Sequence, residues 1–170
     1  YSGSPEPELA FDGSTQRVPR LTEAAGSLGG PVKLHFDARG AVSGLRVVAQ
    51  AEEAFAPTDH LVQLHVGAVG LNFRDVLNVL GVYPGDPGPP GGDCAAHIAA
   101  EGPGSSHLSV GDAVLGHGLA ALASISKSDA RLMAAISDSL SFEQACTLPT
   151  PWCTVHMSLL AARPAARHCA

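Results

Sequence analysis

An alternating pattern of apolar and polar residues predicts the clearest strand of the chain, at residues 61–69 in HLVQLHVGAVG. Val62, Leu64 and Val66 fall on one face, and the stretch is mostly β-branched or large and apolar, as is typical of a half-buried strand. The period changes after Gly70. Apolar residues then fall at Phe73, Val76, Leu77 and Leu80, which is the spacing of one helical face, and Gly81 is a natural stop.

Several shorter elements surround this pair. The turn sequence Asp12-Gly13-Ser14 predicts a hairpin, and a polar connector follows it at residues 22–30. Further strands are predicted at residues 32–36, 45–49, 94–100, 113–116, 119–126 and 131–136. The segment PGDPGPPGGD, directly before the strand at 94–100, is predicted to be a loop. From residue 138 to 167 the pattern becomes helical, with a start at Ser141 and a division by Pro149 and Pro151. Many short strands followed by helix indicate a small β-barrel that leads into an α or α/β unit.

The composition excludes several classes of protein. With 45% hydrophobic and 15% charged residues over 170 positions, the chain is expected to fold. A formal charge of −6 without a basic cluster argues against nucleic acid as a partner, and no apolar run is long enough to predict a membrane span. Four cysteines without a CxxC pair are typical of reduced thiols, so we expect a cytoplasmic protein, or a plastid one after removal of a transit peptide. A start without methionine predicts a piece of a longer or processed polypeptide.

The common chemical motifs are missing from the sequence. No G-x-G-x-x-G lies between a predicted strand and helix, no H-x-x-x-H carries a neighbouring acid, and no G-x-S-x-G is present. His97 and His117 lie on strands of small residues, where an ordinary exposed or hydrogen-bonded histidine is the expected reading. The sequence therefore predicts no metal site.

One stretch, GLNFRDVLNVLGVYPG, is a candidate for chemistry. The amide of Asn72 could orient a polar group at a strand end, and the phenol of Tyr83 could give a proton to an enolate, which is far more basic than a phenolate. The alternative is a structural role, with Arg74 and Asp75 as a surface ion pair at a helix start and Tyr83 as an anchor of the turn. Residue chemistry alone favours this structural role.

Four segments in order, AVGLNFRDVLNVLGVYPG, GGDCAA, VGDAVLG and LSFEQACTLPTPWCTVHMSLL, resemble the enoylreductase domain of modular polyketide synthases and animal-type fatty acid synthases. That domain belongs to the zinc-independent, quinone-oxidoreductase-like branch of the medium-chain dehydrogenase/reductase superfamily. The resemblance implies a mainly β fold with short helices, a GroES-like, partly open β-barrel that forms the substrate lobe. The Rossmann lobe of the family is essentially missing from this chain.

The resemblance also implies a domain division and a site. Residues 1–28 would be a linker with a lead-in hairpin, 29–136 the substrate lobe, and 137–170 the truncated helical start of the cofactor lobe. Tyr83 would be the proton donor at Cα of the acyl chain. Asn72 and Thr154 would face nicotinamide and substrate. Zinc enzymes of the superfamily have metal ligands where this chain has Asn72 and Gly92, so the resemblance implies no zinc.

The function implied is NADPH-dependent reduction of the C=C bond of an enoyl thioester. The cofactor would be held mainly by residues absent from this chain, which alone is expected to be inactive. The implied partners are an acyl chain on an acyl carrier protein and the flanking synthase domains. Two alternatives stay open: a stand-alone quinone-oxidoreductase-like enzyme, and a non-catalytic structural or docking lobe, which Ala96 and Glu101 favour because both depart from the family pattern.

Overall fold

The computed structural model describes residues 10–12, 15–17, 29–51, 53–105 and 107–162. Two antiparallel hairpins come first: β1 (Ala10–Asp12) with β2 (Thr15–Arg17), and β3 (Val32–Phe36) with β4 (Leu45–Ala49). Both confirm the predicted strand pairs. The predicted connector at residues 22–30 lies almost wholly outside the described residues.

A five-stranded antiparallel sheet forms the body of the protein. Its strands are β5 (Leu61–Gly70), β6 (Asp93–Glu101), β7 (Ala113–His117), β8 (Ile125–Asp129) and β9 (Met133–Ala135), in the spatial order β8-β5-β6-β7-β9. The register of β5 against β6 shifts between Gln63 and Leu64 and again between Val66 and Ala68. Such irregularities bend a strand and increase its twist, which allows a sheet to curl toward a barrel.

The two faces of this sheet bury different sets of residues. One face carries the main core, where Val62, Leu64, Ile98 and Val114 are at most 2% exposed. On the opposite face of β6, Ala95 is buried against Ala145, the last residue of a short helix, and Cys146, which follows it. In β5 the alternation separates Val62 and Leu64, which lie in the core, from Gln63, which is half-buried, and His65, which is exposed.

The segment at residues 119–124 corrects a predicted strand. The sequence predicts a strand over 119–126, but β8 begins at Ile125, and the preceding residues form a connection with Ala120 at a φ of 58°. Its backbone carbonyls accept hydrogen bonds from two other strands instead. Leu34 N–H donates to Leu122 O at 2.8 Å, and Val66 N–H donates to Ser124 O at 2.9 Å. These bonds join the β3–β4 hairpin to the edge of β5, so the barrel closes in part through a loop. The prediction of a partly open β-barrel is confirmed.

The predicted strand at residues 131–136 is also shorter than expected. The carboxylate of Asp129 accepts a hydrogen bond from the backbone N–H of Arg131 at 2.9 Å. This bond supports a 3-10 turn at Ala130–Leu132, so the strand β9 begins only at Met133.

Three helices complete the described chain: α1 (Phe73–Val79), α2 (Phe142–Ala145) and α3 (Pro149–Ala161). Ser141 caps α2 as predicted. The helical region is divided in two at the prolines as predicted, because α2 ends at Ala145 and α3 begins at Pro149. Both prolines lie in the first turn of α3, where a missing backbone N–H breaks no helical bond. The predicted continuation of this helix to residue 167 lies outside the described residues. Among the described helices, none has the length and apolar character of a membrane span.

Candidate active site

One edge of the sheet gathers several polar groups. Strand β5 ends there at Gly70, β6 begins at Asp93 and β7 ends at His117, with Asp93 in register with both other residues. Helix α1 starts three residues after Gly70, and α3 starts beside the same edge. Strand ends and helix starts that converge in this way are where polar side chains can meet a ligand.

The carboxylate of Asp93 organises this edge. It is 1% exposed, and it accepts hydrogen bonds from Thr150 N at 2.9 Å and from Thr150 Oγ1 at 2.7 Å. The imidazole of His117 lies on its other side, with Nδ1 at 3.4 Å from Oδ1. A buried carboxylate needs such partners, because removing it from water without them is costly. Asp93 therefore ties the barrel to the first turn of α3.

Missing side chains make room at the same edge. A Cβ atom on Gly70 would lie 2.2 Å from the carbonyl oxygen of Cys146, and one on Gly92 would lie 2.5 Å from Cε1 of His117. Neither distance is possible for real atoms, so glycine is required where helix α2 and the imidazole approach the backbone.

Asn72 begins helix α1, and the site around it depends on Asp75. The buried carboxylate of Asp75 accepts a hydrogen bond from Asn72 N at 2.9 Å and another from Gly91 N at 2.8 Å. Asn78, which is 1% exposed, donates to Gly88 O at 2.9 Å. The start of α1 and the proline-rich loop are thereby held together.

Tyr83 lies after α1, half-buried beneath Arg74. The guanidinium carbon of Arg74 is 5.2 Å from the centre of the Tyr83 ring, and Nη2 of Arg74 donates to Pro87 O at 2.8 Å. The expected surface ion pair of Arg74 and Asp75 is wrong, because Arg74 stacks on the tyrosine while Asp75 bonds to backbone. In the described part of the chain, no hydrogen bond links Tyr83 to Asn72 or Thr154.

Thr154 lies on the exposed surface of α3, one turn after Thr150. Its hydroxyl donates to Thr150 O at 2.8 Å, so it is already engaged within the helix. Helix α3 also forms one wall of an open cavity of about 810 Å³. The other wall comes from β7, the turn before β9 and β9 itself, and the lining includes Leu115, His117, Leu132, Met133, Thr150 and Trp152. The cavity is largely apolar, which suits an acyl chain better than a charged metabolite.

Sequence reasoning missed the residues that build this edge. Asp75, Asn78 and Asp93 are all buried polar groups, whereas the sequence predicts a surface ion pair for Asp75 and a loop that ends at Asp93. Only Asp93 could have been noticed from the sequence, because a charged residue directly after two glycines at the start of a predicted strand is unusual.

No group of three or more possible metal-binding side chains occurs within the residues that the structure covers. Cys94 and Cys146 are both buried, and burial raises the pKa of the Cys94 thiol to about 11 and that of the Cys146 thiol above its ordinary value. These two cysteines are therefore inert core residues.

Comparison with known proteins gives a consistent result. Residues 58–154 match the model of the alcohol dehydrogenase GroES-like domain. The chain is 34% identical over 164 residues to a phenolphthiocerol synthesis polyketide synthase type I of Mycobacterium bovis, a match that covers 93% of this chain and 8% of that protein.

Solved structures agree with this assignment. The CurK enoyl reductase has a TM-score of 0.66 and 31% identity, covering 77% of this chain and 42% of that one. A mycobacterial protein complexed with NADPH has a TM-score of 0.68 and 27% identity, covering 81% and 42%. The chain thus spans less than half of each solved relative and about a twelfth of the curated synthase.

Proposed function

Because the chain belongs to the alcohol dehydrogenase GroES-like domain family, we propose that it is the acyl-binding lobe of an enoylreductase domain in a modular polyketide synthase. The single observation that carries this proposal is the similarity to a polyketide synthase over 93% of the chain, and the CurK enoyl reductase, which matches 77% of the chain, supports it. In this proposal residues 29–136 are the substrate lobe, and residues 137–170 begin the cofactor lobe. The partners are an acyl chain on an acyl carrier protein and the neighbouring synthase domains.

The substrate class follows from the cavity. An enoyl thioester offers an apolar chain, one conjugated C=C bond and one carbonyl oxygen. The cavity between α3 and β7 offers an apolar lining with few polar groups, among them His117 and Thr150. This match of polarity supports a thioester over a sugar or a nucleotide as the molecule that enters from this side.

NADPH is the proposed cofactor, supported by its presence in the mycobacterial relative. When bound, it supplies a hydride to Cβ of the enoyl group. Of the described residues, only Asn72 and Thr154 are proposed to face it, at its nicotinamide end. The phosphates would be held by the lobe that follows. We propose no zinc, because Asn72 and Gly92 stand where zinc enzymes of the superfamily have ligands.

Tyr83 is proposed to supply the proton at Cα. Its phenol is a good donor to a strongly basic enolate carbon, and the stacked Arg74 fixes the plane of the ring. Asn72 is proposed to orient the nicotinamide or the substrate. These roles also need a closed cleft, so the isolated chain is expected to be inactive.

The test compares NADPH oxidation with a crotonyl thioester by this chain alone and by the chain joined to its cofactor-binding half. Only the joined form is expected to turn over. With a 2-methyl enoyl thioester, Tyr83→Phe should slow the reaction or change the configuration at Cα, while keeping the ring stacked under Arg74. Arg74→Lys is the matched control for a role in ring placement alone.

Two outcomes would contradict the proposal. Oxidation of NADPH by a quinone but not by the thioester would indicate a quinone-oxidoreductase-like enzyme. Silence of the joined form with both acceptors would indicate a non-catalytic structural or docking lobe.

A further inference from the structure

The paired residues Asp93 and His117 form a built arrangement that the proposed roles of Tyr83, Asn72 and Thr154 leave unused. They are direct cross-strand neighbours on β6 and β7, and such neighbours have side chains on the same face of the sheet. Asp93 cannot turn away, because both of its oxygens accept hydrogen bonds from Thr150. Its Oδ1 atom therefore stays at the observed 3.4 Å from Nδ1 of His117.

The backbone confines the imidazole from a second side. A Cβ atom added to Gly92 would lie 2.5 Å from Cε1 and 3.1 Å from Nε2 of His117. The ring thus packs against the glycine backbone, with the carboxylate of Asp93 at Nδ1. The carboxylate on one side and the glycine backbone on another restrict the positions that the ring can adopt.

His117 also differs from the other polar residues that line the cavity. Arg131 is engaged with Asp129 through Nη2 at 2.5 Å, and the hydroxyl of Thr150 donates to Asp93. Nε2 of His117 forms no hydrogen bond with any residue that the structure describes, and the side chain is 53% exposed where it lines the cavity. It is therefore a polar atom available to a ligand in a largely apolar site.

We propose that His117, oriented by Asp93, donates a hydrogen bond from Nε2 to the carbonyl oxygen of the acyl thioester. This inference rests on the proposed function and adds a binding role that is separate from proton delivery by Tyr83. In it Nδ1 of His117 faces the carboxylate of Asp93, and Nε2 is the atom that meets the substrate. The charged groups around the ring are Asp93 and the Arg131–Asp129 pair.

The chemistry of the reaction gives this hydrogen bond a purpose. A hydride from the nicotinamide forms the new C–H bond at Cβ, and the π electrons of the C=C bond move to form an enolate. Negative charge gathers on the thioester oxygen, where the N–H of His117 would stabilise it before Cα receives its proton. A fixed donor aimed at a developing oxyanion typically contributes a factor of about 10² to 10³ in rate.

The contact can be measured without turnover. A crotonyl pantetheine thioester labelled with ¹³C at the carbonyl is bound to the joined protein in the absence of NADPH, and the infrared band of the labelled carbonyl is recorded. A hydrogen bond lowers the frequency of this band. We expect a lowered band in the parent protein, its return toward the solution value in His117→Gln, and an intermediate value in Asp93→Asn, which keeps the imidazole but loses its orientation.

The matched control is His97→Gln, because His97 is an exposed histidine on the neighbouring strand that bonds to Gly111 O at 3.2 Å and does not line the cavity. It should leave both the band and kcat unchanged, whereas His117→Gln should lower kcat by about 10²-fold or more. Far-UV circular dichroism verifies that each variant folds, and His117→Asn is the second variant if the first does not.

The outcomes separate the two proposals. NADPH oxidation with a carbonyl band that does not change in His117→Gln would overturn the role of His117 and keep the reduction. A lowered band that depends on His117, without NADPH oxidation, would overturn the reduction and keep the carbonyl contact.

Discussion

Removal of the Asp75 carboxylate should unfold the start of helix α1 and release the proline-rich loop. This carboxylate is 8% exposed and accepts two backbone hydrogen bonds, from Asn72 at 2.9 Å and from Gly91 at 2.8 Å. In Asp75→Ala both donors lose their acceptor. A buried donor without a partner costs about 1–3 kcal/mol, and a lost helix cap costs about 0.5–2 kcal/mol. We therefore expect the free energy of unfolding to fall by about 2–5 kcal/mol.

The measurement is urea unfolding followed by far-UV circular dichroism. With a slope of about 2 kcal/mol per molar urea, the midpoint should fall by roughly 1–2.5 M. Asp75→Asn should fall between parent and alanine variant, because its amide keeps only one acceptor oxygen. The matched control is Asp86→Ala, which removes an exposed acceptor of the Gly88 N–H in the same loop and should change stability by less than about 1 kcal/mol. Equal losses for Asp75→Ala and Asp86→Ala would refute the reasoning.

Three further predictions concern the backbone and the thiols. Gly91→Ala should destabilise the fold by more than about 2 kcal/mol in the same urea assay, because the new Cβ would lie 2.5 Å from Leu122 N. Its control, Gly88→Ala, should cost only about 1–2 kcal/mol, because Gly88 has a positive φ but open space around it. The pKa of the Cys94 thiol is raised to about 11 in the folded protein, against 9.0 for the free group. Between these values the folded state keeps the thiol proton that the unfolded state loses, so the free energy of unfolding should fall as pH rises from about 9 to 11. Cys94→Ala should make that fall smaller. Iodoacetamide at pH 8 should label the exposed Cys153 in the native state and leave Cys94 unlabelled until urea unfolds the protein, and mass spectrometry of the peptides would reveal any native labelling of Cys94 that contradicts this.

The sequence was sufficient where structure depends on local patterns. The bounds of β3 and β4 agree with the prediction, because the alternation of their residues and the glycine-containing turn between them are both local. The position of helix α1 was also predicted, since four apolar residues with helical spacing follow a strand and precede Gly81.

The sequence was insufficient where structure depends on distant partners. Residues 119–124 have the composition of a strand, but their carbonyls accept hydrogen bonds from Leu34 and Val66 in other strands. No local sequence pattern reveals these partners. The pair of Asp93 and His117 arises from the register of β6 against β7, and the bond to Thr150 spans 57 residues.

The contact between Asp93 and Thr150 also has a mechanical consequence. Helix α3 has 13 residues, and only Pro149 at its first position is buried, so the helix is a rod fixed at one end. At a rise of about 1.5 Å per residue the rod is roughly 20 Å long, and a tilt of about 5° at its base moves its far end by nearly 2 Å. A substitution that lengthens one hydrogen bond at Asp93 would therefore move the far end of the helix much more than its base.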